Sequence, residues 1–259
     1  MKQISYIFLF FIYSGYAQDS IQIKLINSLK LEKETIISID DFETLYHIKN
    51  NTFYKTSNNK SINYSNVQLG NITSANAFNP LKINLFYKSF NTVVILDNRL
   101  AEIFKIDFNM MQPYKNVSHI TTGFDNSLWV FNQDLQQLEL YDYKMNKVKV
   151  RSLPVQSNVL DLKSNYNYCW MLTEKYLYKY NYLGSLISKM ENKGFTEMAL
   201  NNENVVLKTD NQLYFLASNS QDVVPIQRSK LLINQFLLAN ETLYIYDSKI
   251  LSKFQLKIK

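Results

Sequence analysis

Cysteine is almost missing from this chain: Cys169 is the single one in 259 residues. A disulfide framework is therefore excluded. A bacterial lipid anchor is not expected either, since it needs a cysteine at the end of its leader. Glycine and proline are also scarce, at 5 and 4 residues. No glycine-rich phosphate loop, Gly-x-Ser-x-Gly elbow or dinucleotide fingerprint can be written with them, and none is present. Only two histidines occur, His47 and His119. They are too far apart for paired metal-ligand spacing, and no cysteine cluster supplements them. The formal charge of +6 is spread without any block of five or six like charges. That pattern describes a solvated surface and excludes a nucleic-acid footprint.

The first seventeen residues read as a secretory leader. Lys2 supplies the positive end, Ile4 to Tyr13 the apolar run, and Gly15-Tyr16-Ala17 the small-x-small cleavage site. The apolar run is about half the roughly 20 residues a spanning helix needs. Cleavage after Ala17 leaves residues 18–259 as one domain with a net charge of +5 once Lys2 is gone. At that length a single core buries roughly 70–75% of the unfolded surface, so disulfides are not required. No later run reaches membrane-spanning length, so no direct membrane insertion is expected after cleavage. The expected location is the periplasm or the exterior.

What the mature chain does have is a repeated phrase. "ETLYHI", "NTVVIL", "NSLWVF", "NYCWML", "ENVVLK" and "ETLYIY" each place an apolar dipeptide after a polar turn. The dipeptides begin at Leu45, Val93, Leu128, Cys169, Val205 and Leu243, with spacings of 48, 35, 41, 36 and 38 residues. Periods near 40 are those of propeller blades. In each unit a short apolar stretch precedes the phrase and a Tyr/Phe-rich stretch follows it. A looser fourth stretch is visible in most units, with only the doubtful "MQPYKNVS" in unit two. These stretches run five to eight residues, favour Val, Ile, Tyr and Phe, and show no 3.6-residue stripe, so they read as strands. Pro80, Pro113, Pro154 and Pro225 precede dipeptides by 13, 15, 15 and 18 residues, as markers of passage between units. Asparagine stands in for glycine at the turns, because it tolerates the left-handed region.

The expected fold is all-β: a six-bladed β-propeller of four-stranded antiparallel blades. The N-terminal strand at 20–29 is expected to supply the outer strand of the last blade and lock the ring. The alternative is seven blades, with a degenerate one around 57–81. This repeat grammar, over 20–259, resembles the β-propeller superfold that includes WD-repeat, kelch and PQQ-repeat proteins. The Trp-Asp ending, the Gly-Gly pair and the glycine-rich Trp motif of those three groups are all missing, so no functional residue carries over from them. The leader ending "YAQ" and the Asn/Lys/Tyr bias resemble periplasmic proteins of gliding Gram-negative bacteria. Small propellers there serve outer-membrane assembly or type IX secretion complexes, and the resemblance implies such an accessory role.

No catalytic, cofactor-binding or metal-binding residues are nominated. Cys169 has no His or Arg near it in sequence to activate it, and reads as a buried small hydrophobe. Asp40, Asp41, Asp125, Asp161 and Glu203 fall near strand ends, where carboxylates accept turn hydrogen bonds. The tyrosines are more numerous than a core hides, and they mark a candidate interaction surface: Tyr64, Phe78, Tyr166, Tyr168, Tyr176, Tyr178 and Tyr180. The stretch 57–81, the longest break in the repeat, is a candidate contact element. The reading is an exported, non-catalytic scaffold that binds protein partners of the cell envelope. The competing reading is a carbohydrate-active or carbohydrate-binding propeller, with acids and tyrosines at the channel mouth.

Overall fold

The computed structural model describes residues 20–31, 35–210, 212–218, 220–227 and 232–257. The expected leader, 1–17, lies outside them. The first strand is β1 (Ile21–Lys30). Blade 1 follows as β2 (Thr35–Ile39), β3 (Leu45–Lys49), β4 (Thr52–Ser57) and β5 (Lys60–Tyr64). Blade 2 is β6 (Ser74–Asn76), β7 (Ile83–Tyr87), β8 (Thr92–Leu96) and β9 (Glu102–Asp107). Blade 3 is β10 (Val117–Thr122), β11 (Ser127–Asn132), β12 (Gln137–Asp142) and β13 (Lys147–Arg151). Blade 4 is β14 (Val159–Ser164), β15 (Tyr168–Thr173), β16 (Tyr176–Asn181) and β17 (Leu186–Glu191). Then come β18 (Glu197–Asn201), β19 (Asn204–Lys208), β20 (Leu213–Leu216), β21 (Val223–Gln227), β22 (Gln235–Ala239), β23 (Thr242–Tyr246) and β24 (Ile250–Lys257).

The turns follow the asparagines. The β3–β4 and β4–β5 hairpins carry Asn50-Asn51 and Asn58-Asn59, all four at positive φ. Two consecutive left-handed residues make the tight hairpin turn that matches strand twist. Strands two and three of a blade lie between neighbouring sheets, so both faces are covered. β7, β8 and β11 are buried at every position. The fourth strands, such as β5 and β13, are largely exposed.

The expectation of six separate blades, and the alternative of seven, are corrected. The described residues form four four-stranded blades and one eight-stranded sheet, in the order β18-β19-β20-β21-β1-β24-β23-β22. The reason is β1. It runs antiparallel to β24 from Gln22–Lys257 to Lys30–Ile250. It also runs parallel to β21, through Ile21–Ile226 and Gln22–Gln227. A strand bonded on both edges joins two sheets into one. The two outer strands of this sheet, β18 and β22, lie against each other, so the sheet is nearly closed on itself. It encloses its own core of Ile21, Val206, Phe215, Ile226, Phe236 and Phe254 among others. Five further cores lie between successive sheets around the ring. Trp129 fills the one between blades 3 and 4, Trp170 the one between blade 4 and the eight-stranded sheet.

Blade 2 is out of phase with the repeat. "NTVVIL" is its third strand rather than its second, and "KINLFYK" its second rather than its first. The inner strand, β6, is the three residues Ser74–Asn76. "MQPYKNVS" contributes a link and the first two residues of β10 instead of a fourth strand. This slip accounts for the long first spacing. It also shows that 57–81 is no insertion: it holds β5, the short 3-10 turn Val67–Leu69 and β6. Likewise Pro80 lies in the β6–β7 turn and Pro225 inside β21, whereas Pro113 and Pro154 do stand between blades.

Packing is tight enough to make one glycine obligatory. Gly184, in the β16–β17 turn, has φ +80°, and a Cβ there would lie 1.9 Å from Val150 Cγ1 of blade 3. Gly184→Ala is expected to cost about 1–3 kcal/mol through overpacking, beyond the backbone strain. Gly194→Ala, at φ +92° with nothing within 4 Å, isolates the strain alone. Urea denaturation of the two variants gives the difference.

Candidate interaction face

Up-and-down strands send alternate turns to opposite ends. All first-to-second and third-to-fourth turns therefore emerge on one face, called here the lower face. Hydrogen bonds between neighbouring turns knit it together. Lys82 Nζ donates to Asp125 O (2.9 Å) and Asn126 Oδ1 (3.0 Å), and Asn165 Nδ2 to Asn202 O (2.7 Å). Around the axis a polar ladder links three blades. Asn76 Nδ2 donates to Thr121 Oγ1 (3.0 Å), Thr122 Oγ1 to Asn76 Oδ1 (3.0 Å), and Thr121 and Ser164 share a hydroxyl bond of 2.9 Å.

Two residues beyond this ladder, at its lower end, stand Phe78 and Tyr166. Their rings meet edge-on at 5.0 Å, although they belong to blades 2 and 4. In turns of the same face, Phe124 of blade 3 and Tyr182 of blade 4 meet at 5.5 Å. These four rings are 46%, 40%, 51% and 43% exposed. Phe42, Leu81 and Leu183 are exposed in lower-face turns as well. Partial burial raises the Tyr166 pKa, with a hydrogen bond from Asn79 opposing. The ring therefore stays neutral at physiological pH.

The other nominated tyrosines have different surroundings. Tyr178 and Tyr180 are buried in the core between blades 3 and 4, stacked at 6.1 Å. Burial pushes the Tyr180 hydroxyl up to about 12. Tyr176 sits edge-on to Tyr178 at 5.8 Å, with Lys189 Nζ 3.8 Å above its ring. Tyr168 is covered by Lys179 Nζ at 3.9 Å, and that ammonium pairs with Glu203 at 2.7 Å. Tyr64 lies between blades 1 and 2 and donates to Glu102; burial raises its pKa above the ordinary 10.0. The structure thus brings Phe78 and Tyr166 together on the lower face and sets the remaining five elsewhere. Phe124 and Tyr182 were missed. Their signal was a large aromatic inside a turn, "GFDN" and "NYLG", where polar residues are the rule.

The acids do not converge. Asp40 accepts from Phe42 N and Thr44 N, both at 2.9 Å, and from Tyr46 OH. Asp161 accepts from Leu162 N (2.8 Å) and Met198 N (3.0 Å), while Glu203 is held by Lys179. Among the described residues no group of three or more His, Cys, Asp or Glu is placed to hold a metal. Burial raises the Cys169 thiol well above its ordinary 9.0. His119, on the inner strand β10, contacts Ser118 Oγ at 3.0 Å. Burial lowers its pKa below 6.5, helped by Lys88 and Lys163 and opposed by Asp161. Such a base takes up its proton more readily when unfolded, so stability drops as the pH falls below 6.5 toward the folded value. His119→Gln is expected to flatten that acid-side slope in melting temperature against pH.

No family of known proteins and no curated protein matches the chain by sequence. Solved structures do match. A catalytically inactive virginiamycin B lyase from Staphylococcus aureus, solved with quinupristin, has a TM-score of 0.58 at 11% identity. The match covers 90% of this chain and 99% of that one. PorZ from Porphyromonas gingivalis, described as an essential bacterial surface component of the type-IX secretion system, gives 0.53 at 13% identity. There the match covers 84% of this chain and 31% of PorZ. BamB from Moraxella catarrhalis gives 0.50 at 12% identity, over 88% and 74% of the two chains. At these identities the likeness establishes the β-propeller fold. Among the described residues no helix is long and apolar enough to cross a membrane.

Proposed function

We propose that this protein is an exported, non-catalytic propeller that binds protein partners, as an accessory subunit of a cell-envelope complex. The observation that carries the reading is the lower face, where Phe78–Tyr166 and Phe124–Tyr182 stand exposed as two ring pairs. Aromatic side chains on a rigid frame are the usual anchors of protein interfaces, since they bury much area at little entropic cost. The secretory character of residues 1–17 and the fold shared with PorZ support the envelope setting. The carbohydrate reading requires acids gathered at one mouth, whereas Asp40, Asp161 and Glu203 each serve a separate partner set.

The test is affinity purification from membranes in mild detergent. Wild type is compared with Phe78→Ser/Phe124→Ser/Tyr166→Ser. Stoichiometric envelope proteins are expected with wild type and absent with the triple variant, at similar melting temperatures. A lone monomer in both preparations, or identical partners in both, contradicts the proposal.

A further inference from the structure

The lower face differs in charge from the chain that carries it. The protein has a formal charge of +6. Among the described residues, however, the turns joining first to second and third to fourth strands hold eight acids against three bases, Lys82, Arg99 and Lys144. The described turns and links of the opposite face hold four acids against five bases. On the lower face Asp41, Glu43, Asp125 and Glu241 stand exposed. An acidic end on a basic protein favours a cationic partner and repels an acidic one.

The aromatic residues of this face sit on a closed circuit of turns. Phe78 meets Tyr166, and Phe124 meets Tyr182. Tyr182 N donates to Asn167 O at 2.8 Å, which ties the Tyr182 turn to the Tyr166 turn. Lys82 Nζ, from the Phe78 turn, donates to Asp125 O next to Phe124 and completes the circuit. Lys82 and Asp125 are the charged residues of these four turns. The lysine is directed at two neutral oxygens, Asp125 O and Asn126 Oδ1. The Asp125 carboxylate accepts from the neutral amide of Asn126 at 3.0 Å. The blade 1 turn repeats the pairing of ring and acid: Phe42, 86% exposed, stands between Asp41 and Glu43. Ring faces and carboxylates both attract a guanidinium, whose plane stacks on aromatics.

We propose that the lower face receives a basic, arginine-bearing segment of its protein partner. The inference rests on the proposed function and adds the chemistry of the partner to it. The rings take the guanidinium planes and methylene stems, while Asp41, Glu43 and Asp125 hold the charge.

The probe is a ten-residue peptide alternating arginine and serine, added to the exported chain. Amide hydrogen exchange is expected to slow at 77–82, 123–126, 165–167 and 182–183, and binding to weaken with salt. Phe78→Ser/Tyr166→Ser is expected to weaken binding at least roughly fivefold, and Phe78→Tyr to retain it, at similar melting temperatures. Asp41→Asn/Glu43→Gln/Asp125→Asn is expected to weaken binding and to flatten its salt dependence. A glutamate–serine peptide is expected not to bind. Equal binding of the glutamate peptide overturns the proposal, as does protection elsewhere on the ring or arginine binding that neither set of substitutions changes. Ring-dependent capture of envelope proteins, combined with no binding of the arginine peptide, overturns this inference alone. Ring-dependent binding of the arginine peptide, with no envelope protein captured, overturns the envelope reading alone.

Discussion

Deleting residues 20–29 is expected to abolish cooperative folding or to lower the melting temperature by more than 10 °C. β1 buries Ile21 fully and Ile23 partly, and exchanges main-chain hydrogen bonds with β24 along its length. Two isoleucines at about 1.5–3 kcal/mol each and several net hydrogen bonds near 1 kcal/mol give on the order of 5–10 kcal/mol. That is most of an ordinary domain's stability. At about 2–4 °C per kcal/mol for a chain of this size, the shift exceeds 10 °C. The deletion also splits the eight-stranded sheet and leaves β24 with an open edge, so soluble aggregates are expected at micromolar concentration. Thermal unfolding with light scattering checks both. An unchanged transition and a clean monomer would show that β1 does not hold the two halves together.

Glu139→Ala is expected to destabilise by about 3–5 kcal/mol. Glu139 is fully buried on β12 and bound from two sides. Lys115 Nζ lies 2.5 Å from Oε2, and Arg151 Nε 3.0 Å from Oε1. The lysine side chain is 6% exposed, so removing the carboxylate strands an ammonium out of water. Arg151 is half exposed and can turn to solvent. Lys115 belongs to the link between blades 2 and 3, and its carbonyl accepts from Asn91 Nδ2 of blade 2 at 2.5 Å. The charge cluster therefore pins that link to blade 3. Replacing both charges, in Glu139→Leu/Lys115→Met, is expected to be close to neutral, because breaking a buried pair costs more than removing it. Urea denaturation of the single and double variants separates the two cases.

The all-β repeat was legible because each blade spends its residues on short apolar strands between asparagine turns. Both features depend on local residue types. The errors arose where pairing, not local pattern, decides. Ser74–Asn76 is too short and polar to read as a strand, yet Asn76 is fixed there by Thr121 and Thr122 of blade 3. Nothing in "IQIKLINSLK" tells that its first two residues also bond β21. The candidate face was partly legible. Phe78 and Tyr166 sit outside strands, and a ring in a turn has little core to enter. Tyr178 and Tyr180 alternate along β16 with a period that shares one face, and blade 3 covers that face. In a propeller both faces of a middle strand are covered, so counting tyrosines overstates the exposed ones.

If the protein acts by binding a partner, the lower face is the contact surface. The most direct measurement is amide hydrogen exchange on the complex purified from membranes, compared with the free protein. Slowed exchange at 77–82, 123–126, 165–167 and 182–183, with the opposite face unchanged, is the predicted result. Protection confined to the opposite face, or no difference between bound and free protein, would contradict it.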